Sequence, residues 1–234
     1  MAVLSIDLAH RDYADIGAVV LESTDYGIEG RVLSMGLGAP EPETLADKID
    51  GICSAKGVEV VLLDGPQGWK AENNGLVHSR RCERELNTPG KTGLPQSAKP
   101  RTYLGFISFA IATFDALHKR GWRRLDSKES RPSGRILIET FPFSAWRSVG
   151  IRPLPSKRRA RPRDIEAGLR QLRATFGITV DAEPNHDQLQ AIVSGLAGLA
   201  LCNGDFTTCR FAGEPPRIEG DICREGWIVN RIAG

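Results

Sequence analysis

The sequence predicts a mixed α/β sheet with helices on both faces. Three strand-like segments precede the first helix, at residues 2–8, 15–23 and 28–37. Helical and strand-like segments then alternate, which is typical of a sheet covered by helices. Residues 58–64 are almost continuously apolar, and such a segment is expected at the centre of a sheet.

The segments before residue 57 predict an antiparallel meander followed by a helix. The second and third strands are separated by Thr-Asp-Tyr-Gly at 24–27, which favours a hairpin turn. Leu45, Ile49 and Ile52 have helical spacing and predict a helix over 43–56. Gly57 suits the end of that helix, because glycine readily adopts a left-handed conformation.

The rest of the chain predicts a long insertion and then further alternation. Residues 65–100 are rich in Gly, Pro, Asn and Lys and predict a loop around a short helix. With the amphipathic helix that follows, this forms an insertion at about 65–130 in a single domain spanning 1–234. The elements expected after the long loop are helices at 102–120, 142–149, 165–176 and 187–201, and strands at 135–140 and 226–229.

Composition excludes several classes of protein. Hydrophobic residues make up 41% of the 234 residues, enough for a core. The net charge of +2 is no general sign of nucleic-acid binding, so any such binding depends on local patches. Five scattered cysteines without a C-x-x-C pair favour a reduced, cytoplasmic location. No apolar stretch approaches the ~20 residues of a membrane span, and no secretion leader is expected.

Four acidic residues stand where apolar segments end or begin. Asp7, Asp64 and Glu139 each close a strand-like run, and Asp187 opens a helical one. Because the ends of adjacent strands lie close together in an α/β sheet, these carboxylates can converge. A carboxylate cluster needs a counter-charge, which a hard divalent cation with oxygen ligands supplies. The pattern therefore predicts a metal site of the kind used in phosphoryl transfer.

Each of the four acidic residues also has a simpler interpretation. Asp7 could cap a turn, and Asp64 precedes Gly-Pro, which favours a local Asx-turn. Glu139 could pair with a nearby arginine. Asp187 stands at a helix start, where aspartate is favoured by capping and by the helix dipole. The hypothesis of a metal site therefore rests on the four residues together.

The helix that begins near Asp187 has a face of small residues. Asp187, Ala191, Ser194 and Gly198 follow one another at i, i+4, i+7 and i+11. A helix with such a face can lie close to a sheet, which would bring Asp187 towards Asp7. The same stripe could equally serve tight packing without any chemistry.

Positive charge is concentrated before the fifth predicted helix. Lys157, Arg158, Arg159 and Arg161 form the densest basic run, and Lys91 in the long loop could also reach a phosphate. Basic side chains contact phosphates in nucleic-acid complexes. The alternative is a solvated loop.

Three further features of the sequence accompany this run. Trp122 and Trp146 each precede arginine and could stack on bases. Arg80, Arg81 and Arg84 share a short predicted helix with Glu83 and Glu85 and could equally form ordinary surface ion pairs. His186, beside Asp187, could act as an acid or base or cap the helix.

The acidic residues lie in short motifs that resemble a known family, the domain of unknown function 429. That family is described as predicted nucleases of RNase H-like fold, and the resemblance covers most of the chain. It implies a mixed five-stranded sheet, with the first three strands antiparallel, and a carboxylate site for Mg²⁺ or Mn²⁺. The matching motifs are Ser5-Ile6-Asp7, Leu63-Asp64-Gly65-Pro66, Arg81-Cys82-Glu83-Arg84-Glu85, Ile138-Glu139-Thr140-Phe141-Pro142 and His186-Asp187-Gln188-Leu189-Gln190-Ala191.

The resemblance implies that the four acidic residues form a metal site, although this chain departs from the family at one position. By position, Asp7, Asp64 and Glu139 would be ligands from the first, fourth and fifth strands, and Asp187 from the last helix. The family and the similar Holliday-junction resolvases tend to carry a second aspartate three residues after the helix aspartate. This chain has Gln190 there, which supplies no charge, so the number of metal ions stays open.

These observations predict a metal-dependent nuclease that acts on DNA or RNA, with no membrane association and with a homodimer left open. One alternative is a non-catalytic module that binds nucleic acid or protein and has lost part of the metal site. A less favoured alternative is an ATP-dependent phosphotransferase. That class needs a glycine-containing hairpin after the first strand, where this chain has Leu-Ala-His at 8–10.

Overall fold

A mixed sheet of nine strands runs through the computed structural model, which describes residues 1–128 and 130–233. Glu129, inside the expected insertion, and Gly234 lie outside the described residues. Two further strands form a small separate sheet. In chain order the strands are β1 (Ala2–Asp7), β2 (Gly17–Thr24), β3 (Gly27–Leu33), β4 (Val60–Asp64), β5 (Arg123–Arg124), β6 (Ile136–Thr140), β7 (Ile178–Val180), β8 (Cys209–Ala212), β9 (Arg217–Glu219), β10 (Ile222–Arg224) and β11 (Ile228–Arg231).

Six α-helices accompany the strands in the described part of the chain. Proline occupies the first helical turn of α1, α4 and α5, where its missing N–H costs no helical hydrogen bond. Gly57, Gly177 and Gly204 end three of the helices in the left-handed conformation. The helices are α1 (Pro42–Lys56), α2 (Arg81–Leu86), α3 (Leu104–Lys119), α4 (Pro142–Ser148), α5 (Pro162–Phe176) and α6 (His186–Asn203).

The predicted five-stranded arrangement forms the centre of the larger sheet. The order is β7-β3-β2-β1-β4-β6-β11-β8, and β5 also pairs with β6. The first three strands are antiparallel, whereas β1, β4 and β6 are parallel. The sheet is nevertheless larger than five strands, because β5, β7, β8 and β11 extend it. Of these, β11 overlaps the strand predicted at 226–229, whereas β5, β7 and β8 have two to four residues, too few for a clear alternating pattern.

The strand register places the ends of β1, β4 and β6 side by side. Ile6 pairs with Leu63, and Asp64 pairs with Thr140. On the other side of β1, Asp7 pairs with Gly17 at the start of β2. Carboxyl ends of parallel strands at one edge of a sheet are a common position for binding sites.

Helices cover both faces of the sheet, as predicted. One core layer joins the sheet to α4, α5 and α6 and contains the buried ring of Trp146. The opposite layer joins the sheet to α1 and α3 and contains Phe114 and Trp122. Because both faces are buried, the central strands are apolar on both sides.

The small-residue face of α6 lies against β1, β2 and β4. A Cβ atom added at Gly195 would lie 2.6 Å from Leu21, and one at Gly198 would lie 2.5 Å from Leu62. Ser194, directly before Gly195, is also buried. Larger side chains would hold the helix away from the sheet, so the predicted close packing is confirmed.

Residues of the predicted insertion pack against β10. Trp69 forms an isolated bridge with Arg224 of β10, and Ala98, Ile107 and Ile111 pack around its ring. Within residues 1–128 and 130–233, no helix combines the length and the hydropathy needed to cross a membrane.

Candidate active site

Asp7 and Asp64 lie next to each other at the ends of two adjacent parallel strands. Along β1 and β4, Ile6 and Leu63 face α1 and α3. Because successive side chains alternate between the faces of a sheet, Asp7 and Asp64 both point to the α6 face. Their carboxyl groups are close enough for each to affect the pKa of the other.

Burial, more than their mutual contact, raises the proton affinity of both carboxyl groups. Burial raises the pKa of Asp7 well above its usual range, and the charges of Asp64 and Asp187 add to the rise. Burial also raises the pKa of Asp64 to about 7, with a further contribution from Glu139. Within the part of the chain that the structure describes, neither Asp7 nor Asp64 forms an ion pair with a basic side chain. Once both groups ionise, the charge of Lys157 therefore offsets their negative charge only in part.

Asp187 approaches this pair because a glycine lies beneath it. A Cβ atom added at Gly17 would lie 2.1 Å from the carbonyl carbon of Asp187, so no larger residue fits. Gly17 pairs with Asp7 across β1 and β2. Asn185 caps α6 by accepting a hydrogen bond from the backbone N–H of Gln188, which fixes where the helix starts.

Basic groups from two segments neutralise Asp187. The Lys157 ammonium donates to Asp187 and, at 2.6 Å, to Asp15. Nδ1 of His186 lies 2.9 Å from Asp187, and its Nε2 lies 3.0 Å from the carbonyl oxygen of Pro155. Burial acts to raise the pKa of Asp187, but the hydrogen bonds from His186 and Lys157 hold it below its usual value.

These contacts clip the basic loop to the start of α6. Asp15 takes part in the clip although no local pattern marked it, because its partner Lys157 is 142 residues away in the sequence. His186 has both ring nitrogens engaged, so its geometry fits a positioning role.

Glu139 is held by an arginine and not by the aspartate pair. Along β6, Ile136 and Ile138 face α6, so Glu139 points to the other face of the sheet. Its two oxygens accept hydrogen bonds of 2.5 and 2.7 Å from Arg80, and one also accepts from the backbone N–H of Gln67 at 2.9 Å. Burial raises the pKa of Glu139, whereas Arg80 and Gln67 act to lower it.

Arg80 lies at the centre of a buried ionic cluster. Its side chain is 1% exposed, and its Nε donates to Glu83 at 3.0 Å. Its Nη1 also lies 3.4 Å from the backbone oxygen of Glu225. The Glu225 carboxylate in turn accepts hydrogen bonds from Asn74 and from backbone N–H groups, including that of Arg81. The surface ion pairs expected for this short helix therefore apply to Arg81, which reaches Glu214, but not to Arg80.

Gln190 and the two tryptophans belong to the interior of the protein. The Oε1 atom of Gln190 accepts a hydrogen bond of 2.6 Å from the indole of Trp146. The indole of Trp122 donates to Asp50 at 2.9 Å. Trp122 and Trp146 are fully buried, so the expectation that they stack on bases is wrong. Their rings fill the two core layers instead.

The predicted phosphate-binding residues fall into two groups. Arg158 lines an open groove together with His10 and Arg11, beside the aspartate pair. Arg159 and Arg161 are exposed on the same basic loop. Lys91 differs, because its ammonium donates to the backbone oxygens of Glu83 and Thr88 at 3.1 and 2.5 Å. Lys91 thus stabilises the end of α2.

The donor atoms around Asp7 and Asp64 fit one small divalent cation. Mg²⁺ is usually held by one or two carboxylates, with water completing its shell. Thr140, paired with Asp64 and facing the same side, has a buried hydroxyl without a hydrogen-bond partner in the described chain. Among residues 1–128 and 130–233, no group of three His, Cys, Asp or Glu side chains is arranged to hold a metal. The third carboxylate, Asp187, is engaged by Lys157 and His186.

Comparisons with known proteins find a remote structural likeness. No protein-family model matches the chain, and no curated protein matches it. The structure of RuvC from Thermus thermophilus overlaps with a TM-score of 0.40 and 12% identity, covering 88% of this chain and 95% of that chain. The structure of T. thermophilus RuvC in complex with Holliday junction substrate gives 0.39 and 13%, with the same coverage. These values carry no conclusion about activity, and membership of the domain of unknown function 429 stays a prediction.

Proposed function

We propose that this protein is a metal-dependent nuclease that hydrolyses phosphodiester bonds. The observation that carries the proposal is the pairing of Asp7 and Asp64. They stand side by side at the ends of parallel strands, and no basic side chain in the described chain forms an ion pair with either of them. A divalent cation would supply the missing charge, and Mg²⁺ or Mn²⁺ suits oxygen donors.

The residues of the chain have distinct roles in this proposal. Asp7 and Asp64 hold the cation, which when bound supplies Lewis-acid polarisation of a phosphoryl oxygen. Lys157 adds a second positive charge next to the same centre. It uses two donors on Asp15 and Asp187, and its half-exposed ammonium retains a third for a phosphate oxygen. His186 keeps the basic loop in position through Pro155.

This arrangement favours a single metal ion. Gln190 stands where the resembled family has a second aspartate, and its oxygen is turned to Trp146. Asp187 is already neutralised by Lys157. We therefore assign to the Lys157 ammonium the charge that a second metal ion would otherwise bring, and we assign Glu139 to the Arg80 cluster.

The exposed basic side chains support nucleic acid as the partner. Arg11 and Arg158 line the groove beside the carboxylates, and Arg159 and Arg161 continue the positive charge along the loop. Contacts of this kind bind the phosphate backbone without reading its sequence.

A non-catalytic nucleic-acid-binding module is the second candidate. It is favoured by one observation, namely that Gln190 and Asp187 are both committed to protein partners. Such a module would bind nucleic acid through the same basic loop but would turn over no substrate.

Cleavage of labelled single-stranded DNA, duplex DNA and RNA separates these candidates. The wild-type protein should cleave in Mg²⁺ or Mn²⁺ and stop in a chelator, and Asp7→Asn should lower the rate at least ~100-fold. Asp25→Asn, which changes an exposed carboxylate in the β2–β3 turn, is the matched control and should cleave like wild type. Binding of all three substrates without metal-dependent cleavage would establish the module and overturn the nuclease.

A further inference from the structure

A pocket of about 190 Å³ opens beside Asp64, between the start of α3 and the end of β6. Its walls include the rings of Tyr103, Phe106 and Phe141. Sites for drug-sized ligands usually measure ~300–1,000 Å³, so this space suits a single planar group. Of the residues that line this pocket, Asp64 and Glu139 were predicted from the sequence as site residues.

The chemistry of the pocket favours an uncharged aromatic ring. Arg80 and Glu139 line it, but they are bonded to each other and offer no free charge. Pro66, Pro89 and the aromatic rings supply apolar surface. A phosphate would find no unpaired cation in this pocket, whereas a nucleobase could stack on the rings.

The neighbouring groove supplies the complementary half of a nucleotide site. It shares Tyr103 and Phe106 with the pocket and carries His10, Arg11 and Arg158 on its far side. The basic residues suit phosphates, and the shared aromatic residues lead from the groove into the pocket. A nucleic-acid strand can therefore keep its backbone in the groove while one base enters the pocket.

We propose that this pocket binds one unpaired nucleobase next to the bond that is cleaved. The inference rests on the proposed nuclease function and names its substrate class, which is single-stranded or locally unpaired nucleic acid. A base in a regular duplex is stacked and paired, and extruding it costs a few kcal/mol. Single strands should accordingly bind more tightly than duplexes of the same sequence.

Binding of a single-stranded oligonucleotide containing 2-aminopurine tests the pocket without requiring cleavage. The assay uses the full chain in Ca²⁺ and records the Kd and the 2-aminopurine emission. Wild type should change the emission, because the fluorescence of this base responds to stacking. Phe106→Leu and Tyr103→Leu keep apolar volume but remove the ring, and each should weaken binding about 10-fold and reverse the emission change.

Tyr26→Leu is the matched control, since Tyr26 is 96% exposed in the hairpin turn at the other end of β2. It should leave both readouts unchanged, and thermal melts of all three variants verify folding. Equal binding of single and double strands would overturn the pocket assignment. So would Phe106→Leu and Tyr103→Leu variants that behave like wild type. If the variants lose base binding but wild type shows no metal-dependent cleavage, the pocket stands and the nuclease function fails.

Discussion

Two neighbouring clusters of acidic side chains differ in how their charge is balanced. Glu139 and Glu83 surround the buried guanidinium of Arg80, with contacts of 2.5 and 3.0 Å. Asp7 and Asp64 have carboxyl groups with raised pKa values, and in the described chain neither has an ion pair. The first cluster is complete within the protein, whereas the second gains its balance from a proton or an added cation.

The comparison teaches that the position of a carboxylate at a strand end does not determine its role. Asp64 and Glu139 both close apolar strands, and those strands are neighbours. What separates them is the side of the sheet that each faces and the partner found there. Arg80 is 59 residues from Glu139 in the sequence and reaches it only because the insertion folds back.

Removing Arg80 should break the balanced cluster and have the largest effect on stability. Arg80→Met leaves the buried Glu139 and Glu83 without their cationic partner, and we expect a loss of ~3–5 kcal/mol in the free energy of unfolding. Urea denaturation measures this loss. Arg81→Met is the matched control, because Arg81 is 48% exposed and pairs with Glu214 at the surface, which predicts at most ~1 kcal/mol. Equal losses in the two variants would show that the cluster contributes little.

The unbalanced pair should make stability depend on pH. The pKa of Asp64 rises from 3.8 to about 7 on folding, and that of Asp7 also rises. A raised pKa stabilises the protonated fold, so this contribution is complete below pH 3.8 and is lost as the pH increases through about 7. The metal-free protein should therefore lose up to ~4 kcal/mol of this contribution by pH 8.

Thermal melts of wild type and Asp64→Asn between pH 5 and 8 isolate this effect. Asparagine cannot ionise, so the variant should lack the pair's share of the pH dependence. Mg²⁺ should restore the melting temperature of wild type at pH 8 and leave that of the variant unchanged. The same pH dependence in both proteins would contradict the raised pKa values.

Gly17 should control whether Asp187 joins the pair. Gly17→Ala places a Cβ atom 2.1 Å from the backbone of Asp187, so α6 must shift, at a cost of ~1–3 kcal/mol. Metal affinity should also fall, because the shift moves the charge of Asp187 away from Asp7 and Asp64. Gly51→Ala, in α1 with open space around its Cβ, should instead be neutral or stabilising by up to ~1 kcal/mol. If urea denaturation shows that Gly17→Ala is as stable as wild type, the close packing of α6 on Gly17 is refuted.

The sequence predicts the central sheet, its helical cover and the approach of α6, because apolar periodicity and small-residue spacing are local signals. The role of Glu139 has no such signal. Both faces of β6 are buried, so the apolar pattern does not show which face Glu139 occupies. The clip from Lys157 to Asp15 and Asp187 was equally hidden, because it depends on how a proline-rich loop folds over distant residues.

The burial of Trp122, Trp146 and Arg80 could not be predicted either, because local sequence does not show which residues surround them in the fold. A Trp-Arg pair has the same local composition on a surface as in a core, and the structure places Trp122 and Trp146 in the core. Arg80 lies directly before a short charged helix, which suggests solvent exposure. Its burial follows from Glu139 and the backbone oxygen of Glu225, which join the nearby Glu83 only in the folded chain.

Calorimetric titration with Mn²⁺ tests the central claim that Asp7 and Asp64, and not Glu139, hold a divalent cation. Wild type and Glu139→Gln should each bind one Mn²⁺ per chain, with circular dichroism confirming that the variant is folded at the titration temperature. Asp7→Asn should remain folded and lose at least ~10-fold in affinity. Binding by Asp7→Asn that equals wild type, or loss of binding in a folded Glu139→Gln, would contradict the assignment.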